Sequence, residues 1–151
     1  GVKRAQLFRE TLQLSLERAV GSAFLEKRRS AGVVTGELLA GEVEGATVLV
    51  IDDLISTGGT LARAAKACRE HGAAKVFAFA AHGLFVGDAN DVICQSDLTQ
   101  IFITDTVPPF RVTPDLIGQN VRILSAAPLF ADAIRCCEGE GSITELLEGP
   151  A

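Results

Sequence analysis

Apolar residues recur at steps of three and four near the start of the chain, where Ala5, Phe8, Leu12, Leu16 and Ala19 fall on one side of a helix and charges on the other. Residues 3 to about 19 are therefore expected to form an amphipathic helix. VGSAFL (20–25) reads as a short buried strand. It runs into EKRRSAGVVTGE (26–37), which is basic, glycine-bearing and aperiodic, and is expected to be a mobile loop. TVLVID (47–52) is a continuous β-branched and aliphatic run, as in a parallel-sheet strand covered on both faces, and is expected at the centre of a sheet. Leu61, Ala64, Ala65 and Cys68 then keep helical spacing until EHG (70–72) supplies a terminating glycine.

AKVFAFAA (74–81), QIFIT (100–104) and VRILS (121–125) repeat the buried-strand composition, with helical stretches near 88–95 and 128–137. Strand and helix alternate, and the crossovers are too long for hairpins. This predicts an α/β fold, an open parallel sheet flanked by helices. No repeat or low-complexity linker divides the chain, so residues 1–151 read as a single domain, with TVPPFRVTPD (106–115) as a surface connection.

A chain of 151 residues, 48% of them hydrophobic, is long enough to bury a real core. The 14 basic and 19 acidic side chains leave a net charge of −5, which argues against nucleic-acid binding through a general positive field, while local anion sites stay open. No apolar run is long enough for a membrane span, and no signal-peptide pattern opens the chain, so a cytoplasmic protein with no membrane partner is expected. Cys68, Cys94, Cys136 and Cys137 contain no C-x-x-C pair, and buried free thiols are the expected state. The chain starts at Gly1 and has no methionine, which is read as a piece of a longer polypeptide.

The chemistry concentrates in VLVIDDLISTGGT (48–60). In open α/β sheets ligands bind beyond the carboxyl ends of strands, where Asp52, Asp53, Ser56, Thr57, Gly58, Gly59 and Thr60 would lie. Gly58 and Gly59 let backbone amides approach an anion, the hydroxyls of Ser56, Thr57 and Thr60 can donate to phosphate oxygens, and the next helix aims its N-terminus there. The acids repel a phosphate and instead suit sugar hydroxyls or a divalent cation. A sugar phosphate satisfies both ends. The plainer alternative is a helix cap beside two solvated acids. Neither a Walker A lysine nor a G-x-G-x-x-G fingerprint is present.

Residues 48–60 resemble the phosphoribosyl diphosphate motif of the type I phosphoribosyltransferase fold. EKRR (26–29), AFAAHGLFVGDA (78–89), ITDTVPP (103–109) and the closing SITELLEG (142–149) are similar, in order and spacing, to segments in the C-terminal half of ribose-phosphate diphosphokinases, the phosphoribosyl diphosphate synthetases. The resemblance implies the C-terminal half of a two-domain subunit. It further implies transfer of diphosphate from ATP to the anomeric hydroxyl of ribose 5-phosphate in nucleotide biosynthesis, with Mg2+, in a homo-oligomer. Carried over by position, Lys27 is the catalytic lysine of the loop and Arg29 its partner on substrate phosphate. Asp52 and Asp53 are the ribose-side acids, and Ser56, Thr57, Gly58, Gly59 and Thr60 hold the 5-phosphate; no metal-ligating residue is assigned.

Isolated from that family position, KRR (27–29) would be a solvated surface cluster. Ser56 departs from the pattern, since many synthetases carry an acid there, and the loop after Arg29 is shorter than the common bacterial form. The family's ATP-binding residues fall in sequence not included here, so this chain alone is expected to make no product. Two rivals remain: a phosphoribosyltransferase that consumes phosphoribosyl diphosphate, and a non-catalytic regulatory subunit. His82, just beyond a strand, could face the ligand or be structural; His71, at a helix end, is expected to be structural, and Cys136 and Cys137 to pack on a helix.

Overall fold

The structure, a computed structural model, describes residues 2–30, 33–139 and 141–148, with backbone alone for 2, 26–30, 33–38, 145, 147 and 148. Four parallel strands form the main sheet in the order β3 (Thr47–Ile55), β4 (Lys75–Gly83), β5 (Gln100–Thr104) and β6 (Val121–Leu124), following an antiparallel pair β1 (Phe24–Ser30) and β2 (Val33–Ala40). Helices α2 (Gly59–Glu70), α3 (Ala89–Cys94) and the short α4 (Leu116–Gln119) connect the parallel strands; α1 (Val2–Leu16) precedes them and α5 (Ala127–Glu138) and α6 (Ile143–Glu148) follow. The parallel α/β architecture is as expected.

The core lies on one face of the sheet. Along β4, Val76, Ala78 and Ala80 are buried at alternate positions, and Ile101, Ile103 and Val121 continue the layer across β5 and β6. Helix α2 covers it with Leu61, Ala64, Ala65 and Cys68, the residues whose spacing predicted the helix. Its C-terminal end closes with Ala73 N donating to Cys68 O at 3.0 Å and Gly72 N to Arg69 O at 3.0 Å, a Schellman pattern that Gly72 permits with a φ of 84°. The opposite face carries Phe77, Phe79 and Phe102, half-buried, with the last two stacked at 4.7 Å and Phe8 of α1 at 5.8 Å from Phe79.

Four expectations change. Strand β3 lies at an edge of the four-stranded sheet rather than its centre, and its residues are mostly half-buried. An unbroken aliphatic run reports apolar surroundings and carries no information about how many strands flank it. The segment 20–23 is irregular and the strand begins at Phe24, which is 45% exposed. The expected loop is instead largely a β-hairpin: Phe24 to Ser30 pair with Ala40 to Val33, with a bulge between Arg28 and Arg29. Pairing there uses backbone groups, and a two-stranded ribbon needs no apolar alternation to form. All four thiols are free, but only Cys68 is buried; Cys94 and Cys137 are exposed, and Cys136 is half-buried. Cys137 on α5 therefore does not pack as expected.

Candidate active site at the carboxyl end of strand β3

Strand β3 delivers its acids to the sheet edge because Ile55, 1% exposed, anchors the strand just beyond them. Asp52 is half-buried and Asp53 exposed. The Asp53 amide donates to Asp52 Oδ1 at 2.9 Å, and Arg4 Nη1 of α1 meets Asp53 Oδ2 at 2.9 Å. Partial burial raises the Asp52 carboxyl from its ordinary value; the hydrogen bond from the Asp53 amide opposes the rise and the Asp53 carboxylate adds to it. The Arg4 guanidinium, with a contribution from Asp52, lowers Asp53 to about 2. The two acids thus differ electrically: one is firmly ionised, the other held closer to protonation.

After Ile55 the chain turns through Ser56 and Thr57, both exposed, to Gly58 at the N-cap of α2. Gly58 has a φ of 76°, and a Cβ on it would stand 3.0 Å from Cδ1 of the buried Ile93. Only glycine takes that backbone without strain while letting α3 press so close. The N-cap is a glycine, so no side chain bonds the first turn of α2, and the hydroxyl-bearing Ser56, Thr57 and Thr60 flank that helix start in the chain. Ser56 to Thr60 thus run from the carboxyl end of β3 into the start of α2.

The backbone beyond β4 buttresses this turn. Leu84 N donates to Ile55 O at 2.9 Å and Val86 N to Ser56 O at 3.0 Å, while Phe85, 2% exposed, adopts a φ of 49° between them. Arg63 was not anticipated from the sequence. One turn into α2, its Nη2 donates to Thr60 Oγ1 at 3.4 Å, and its Nη1 lies 3.3 Å from where a Gly59 Cβ would be. The signal was its place four residues after Gly59, on the same side of the helix. Arg4 escaped notice because its partner, Asp53, is distant in sequence.

Lys27 and Arg29 lie on β1, opposite Glu37 and Val34. Their side chains lie outside the described part, and the ribbon that carries them is separate from the main sheet. His71 Nδ1 donates to Ala67 O at 2.8 Å, the structural role expected of it. His82 Nδ1 instead meets Thr106 Oγ1 at 2.8 Å, at the same sheet edge as the acids. Among the described residues no group of three or more His, Cys, Asp or Glu could hold a metal ion, and no helix is long and apolar enough to cross a membrane.

The family model of the phosphoribosyl synthetase-associated domain matches residues 36–148. The chain belongs to that family. It is 39% identical over 126 residues to the ribose-phosphate pyrophosphokinase of Shewanella oneidensis, a match covering 82% of this chain and 39% of the relative. It is 37% identical over 147 residues to the same-named protein of Chromobacterium violaceum, covering 97% of this chain and 42% of the relative. The structure of a phosphoribosylpyrophosphate synthetase from Mycobacterium smegmatis superposes with a TM-score of 0.71 at 33% identity, over 87% of this chain and 41% of that one. The likeness to ribose-phosphate diphosphokinases read from the sequence agrees with all three, since pyrophosphokinase and diphosphokinase are one name. The chain spans about two fifths of the length of these relatives.

Proposed function

We propose that this chain is the ribose 5-phosphate-binding domain, and the C-terminal half, of a ribose-phosphate diphosphokinase subunit. The observation that carries the reading is the turn of Ser56 to Thr60, shaped by Gly58 in a left-handed backbone at the start of α2 and placed two residues after an acid pair. The 5-phosphate sits on the amides and hydroxyls of that turn. The ribose hydroxyls are held by Asp52 and Asp53, of which Asp53 stays ionised to lower pH because it is paired with Arg4.

The reaction proposed is attack by the anomeric hydroxyl of ribose 5-phosphate on the β-phosphorus of ATP, which forms the new oxygen–phosphorus bond and releases AMP. Such chemistry depends on positioning and on neutralising charge around the transferred group. Lys27 and Arg29 on the hairpin supply that positive charge, and closure of the hairpin would exclude water. Magnesium ordinarily takes one or two carboxylates plus substrate phosphate oxygens and water. The adjacent Asp52 and Asp53 fit that habit without a larger protein cage, and the ion would supply charge neutralisation on the diphosphate. The working setting is the cytoplasm, in a homo-oligomer.

The test is a diphosphate-transfer assay on the complete polypeptide containing this domain, following AMP and phosphoribosyl diphosphate by 31P NMR. Formation of both from ATP and ribose 5-phosphate with Mg2+ supports the reading. A complete polypeptide that binds ribose 5-phosphate but transfers nothing would favour the regulatory subunit.

A further inference from the structure

The chain has two histidines, and they are held in contrasting ways. His71 makes a local bond to its own helix, at the end of α2 away from the acids. His82 is fixed by a small network drawn from two strands and a loop. Its Nδ1 meets Thr106 Oγ1 at 2.8 Å; that hydroxyl lies 2.7 Å from Thr104 Oγ1 and 3.0 Å from Ala81 O, and Thr104 Oγ1 donates to Ala81 O at 2.6 Å. A side chain left to solvent would keep its rotamer freedom. Here two threonines fix an exposed ring through one nitrogen, leaving Nε2 on the far side of the ring.

The place of that ring matters. His82 pairs with Leu54 of β3, two residues beyond the Asp52 and Ala80 pair. With strands about 4.8 Å apart and a rise of about 3.3 Å per residue, its Cα stands about 8 Å from that of Asp52. The residues that follow, Leu84 and Val86, bond the carbonyls of Ile55 and Ser56 at the root of the phosphate turn. The imidazole is thus tied to the same framework as the turn, one strand over.

We propose that His82 is a further binding residue whose Nε2 hydrogen-bonds a hydroxyl of the phosphorylated sugar held at Ser56 to Thr60, with Thr106 and Thr104 orienting the ring. The proposal rests on the reading of the site given above. A hydroxyl both donates and accepts, so it suits Nε2 in either tautomer that Thr106 selects. The phosphate itself belongs to the turn and needs no histidine.

Two histidines give two imidazoles in a long-range 1H–15N NMR spectrum, and His71 is the internal control. Ribose 5-phosphate added to the intact chain is expected to shift the His82 Nε2 signal and leave His71 in place. By calorimetry, His82→Ala should weaken ribose 5-phosphate binding by up to about tenfold, the range of one hydrogen bond. It should leave inorganic phosphate binding unchanged, and Thr106→Val should show a smaller loss of the same kind. Ribose 5-phosphate binding with an unmoved His82 signal, or equal losses for the sugar phosphate and inorganic phosphate, would overturn this proposal alone. A wild-type chain that binds neither ligand would overturn it together with the site reading. Should His82→Ala fail to fold, the wild-type spectrum decides.

Discussion

Replacing Gly58 by alanine should separate the backbone demand of the turn at 56–60 from the phosphate binding proposed for it. At a φ of 76° an L-residue costs about 1–2 kcal/mol relative to glycine. The new methyl would also meet Ile93 Cδ1 at 3.0 Å and Cγ1 at 3.1 Å, crowding at the low end of the usual 1–3 kcal/mol for overpacking because the isoleucine tip can turn. The sum is a loss of about 2–3 kcal/mol. Gly59 is the control, since it begins α2 and its Cβ would meet the mobile end of Arg63 at 3.3 Å and Thr57 Oγ1 at an ordinary 3.9 Å. Alanine suits a helix better than glycine by about 0.5–1 kcal/mol, so Gly59→Ala should keep or gain stability. With a urea m-value of about 1.5 kcal/mol/M, Gly58→Ala should lower the unfolding midpoint by about 1–2 M and Gly59→Ala should not lower it. Ribose 5-phosphate affinity should fall in both, because the Gly59 methyl enters the space where the phosphate approaches the amides. A Gly58→Ala protein as stable as wild type, or equal destabilisation by both substitutions, would refute the assignment of a strained N-cap at 58.

The acid pair yields a pH prediction. Because Asp53 is depressed to about 2, its stabilising contribution is complete above the unfolded value near 3.8 and is lost as pH falls through about 2; Asp52, raised, has the opposite sign. Carboxyl 13C titration should place the Asp53 midpoint near 2 and that of Asp52 above 3.8, and Arg4→Ala should move Asp53 upward. Leu61→Ala removes a side chain 2% exposed beneath the turn and should cost about 2–5 kcal/mol in denaturant unfolding. An aromatic disulfide reagent should modify Cys94 and Cys137 first, with Cys68 reacting only on unfolding because burial both shields it and raises its pKa. In the complete polypeptide, the proposed catalytic role of Lys27 predicts that Lys27→Ala depresses kcat far more than it raises KM; near-normal turnover would remove that role.

What was legible from the sequence follows from which physical signals are local. Helix α2 could be read almost residue by residue, because its apolar spacing and its two flanking glycines are set within one element. The turn at 56–60 was equally legible as a break between strand and helix, since its paired glycines and hydroxyls interrupt the apolar pattern locally. The edge position of β3 was not, because strand order depends on partners distant in sequence. The hairpin over 24–40 was missed for a related reason: its cohesion is backbone pairing, invisible in a string of charges and glycines. Arg4 and the threonines around His82 enter the site through contacts spanning tens of residues. Of the apolar face predicted for α1, Phe8 reaches Phe79 of the sheet, yet Phe8 is 36% and Leu16 45% exposed, so periodicity overstated how much of that helix is covered.

The claim on which most depends is that Asp52, Asp53 and the turn that follows hold ribose 5-phosphate. Calorimetric titration of the intact chain with ribose 5-phosphate, with and without Mg2+ and beside Asp52→Asn, tests it most directly. The account predicts one-to-one binding that Asp52→Asn weakens at least severalfold, while inorganic phosphate affinity is unchanged or stronger because a neighbouring negative charge is gone. No heat of binding from the folded wild-type chain, or undiminished affinity in Asp52→Asn, would contradict it.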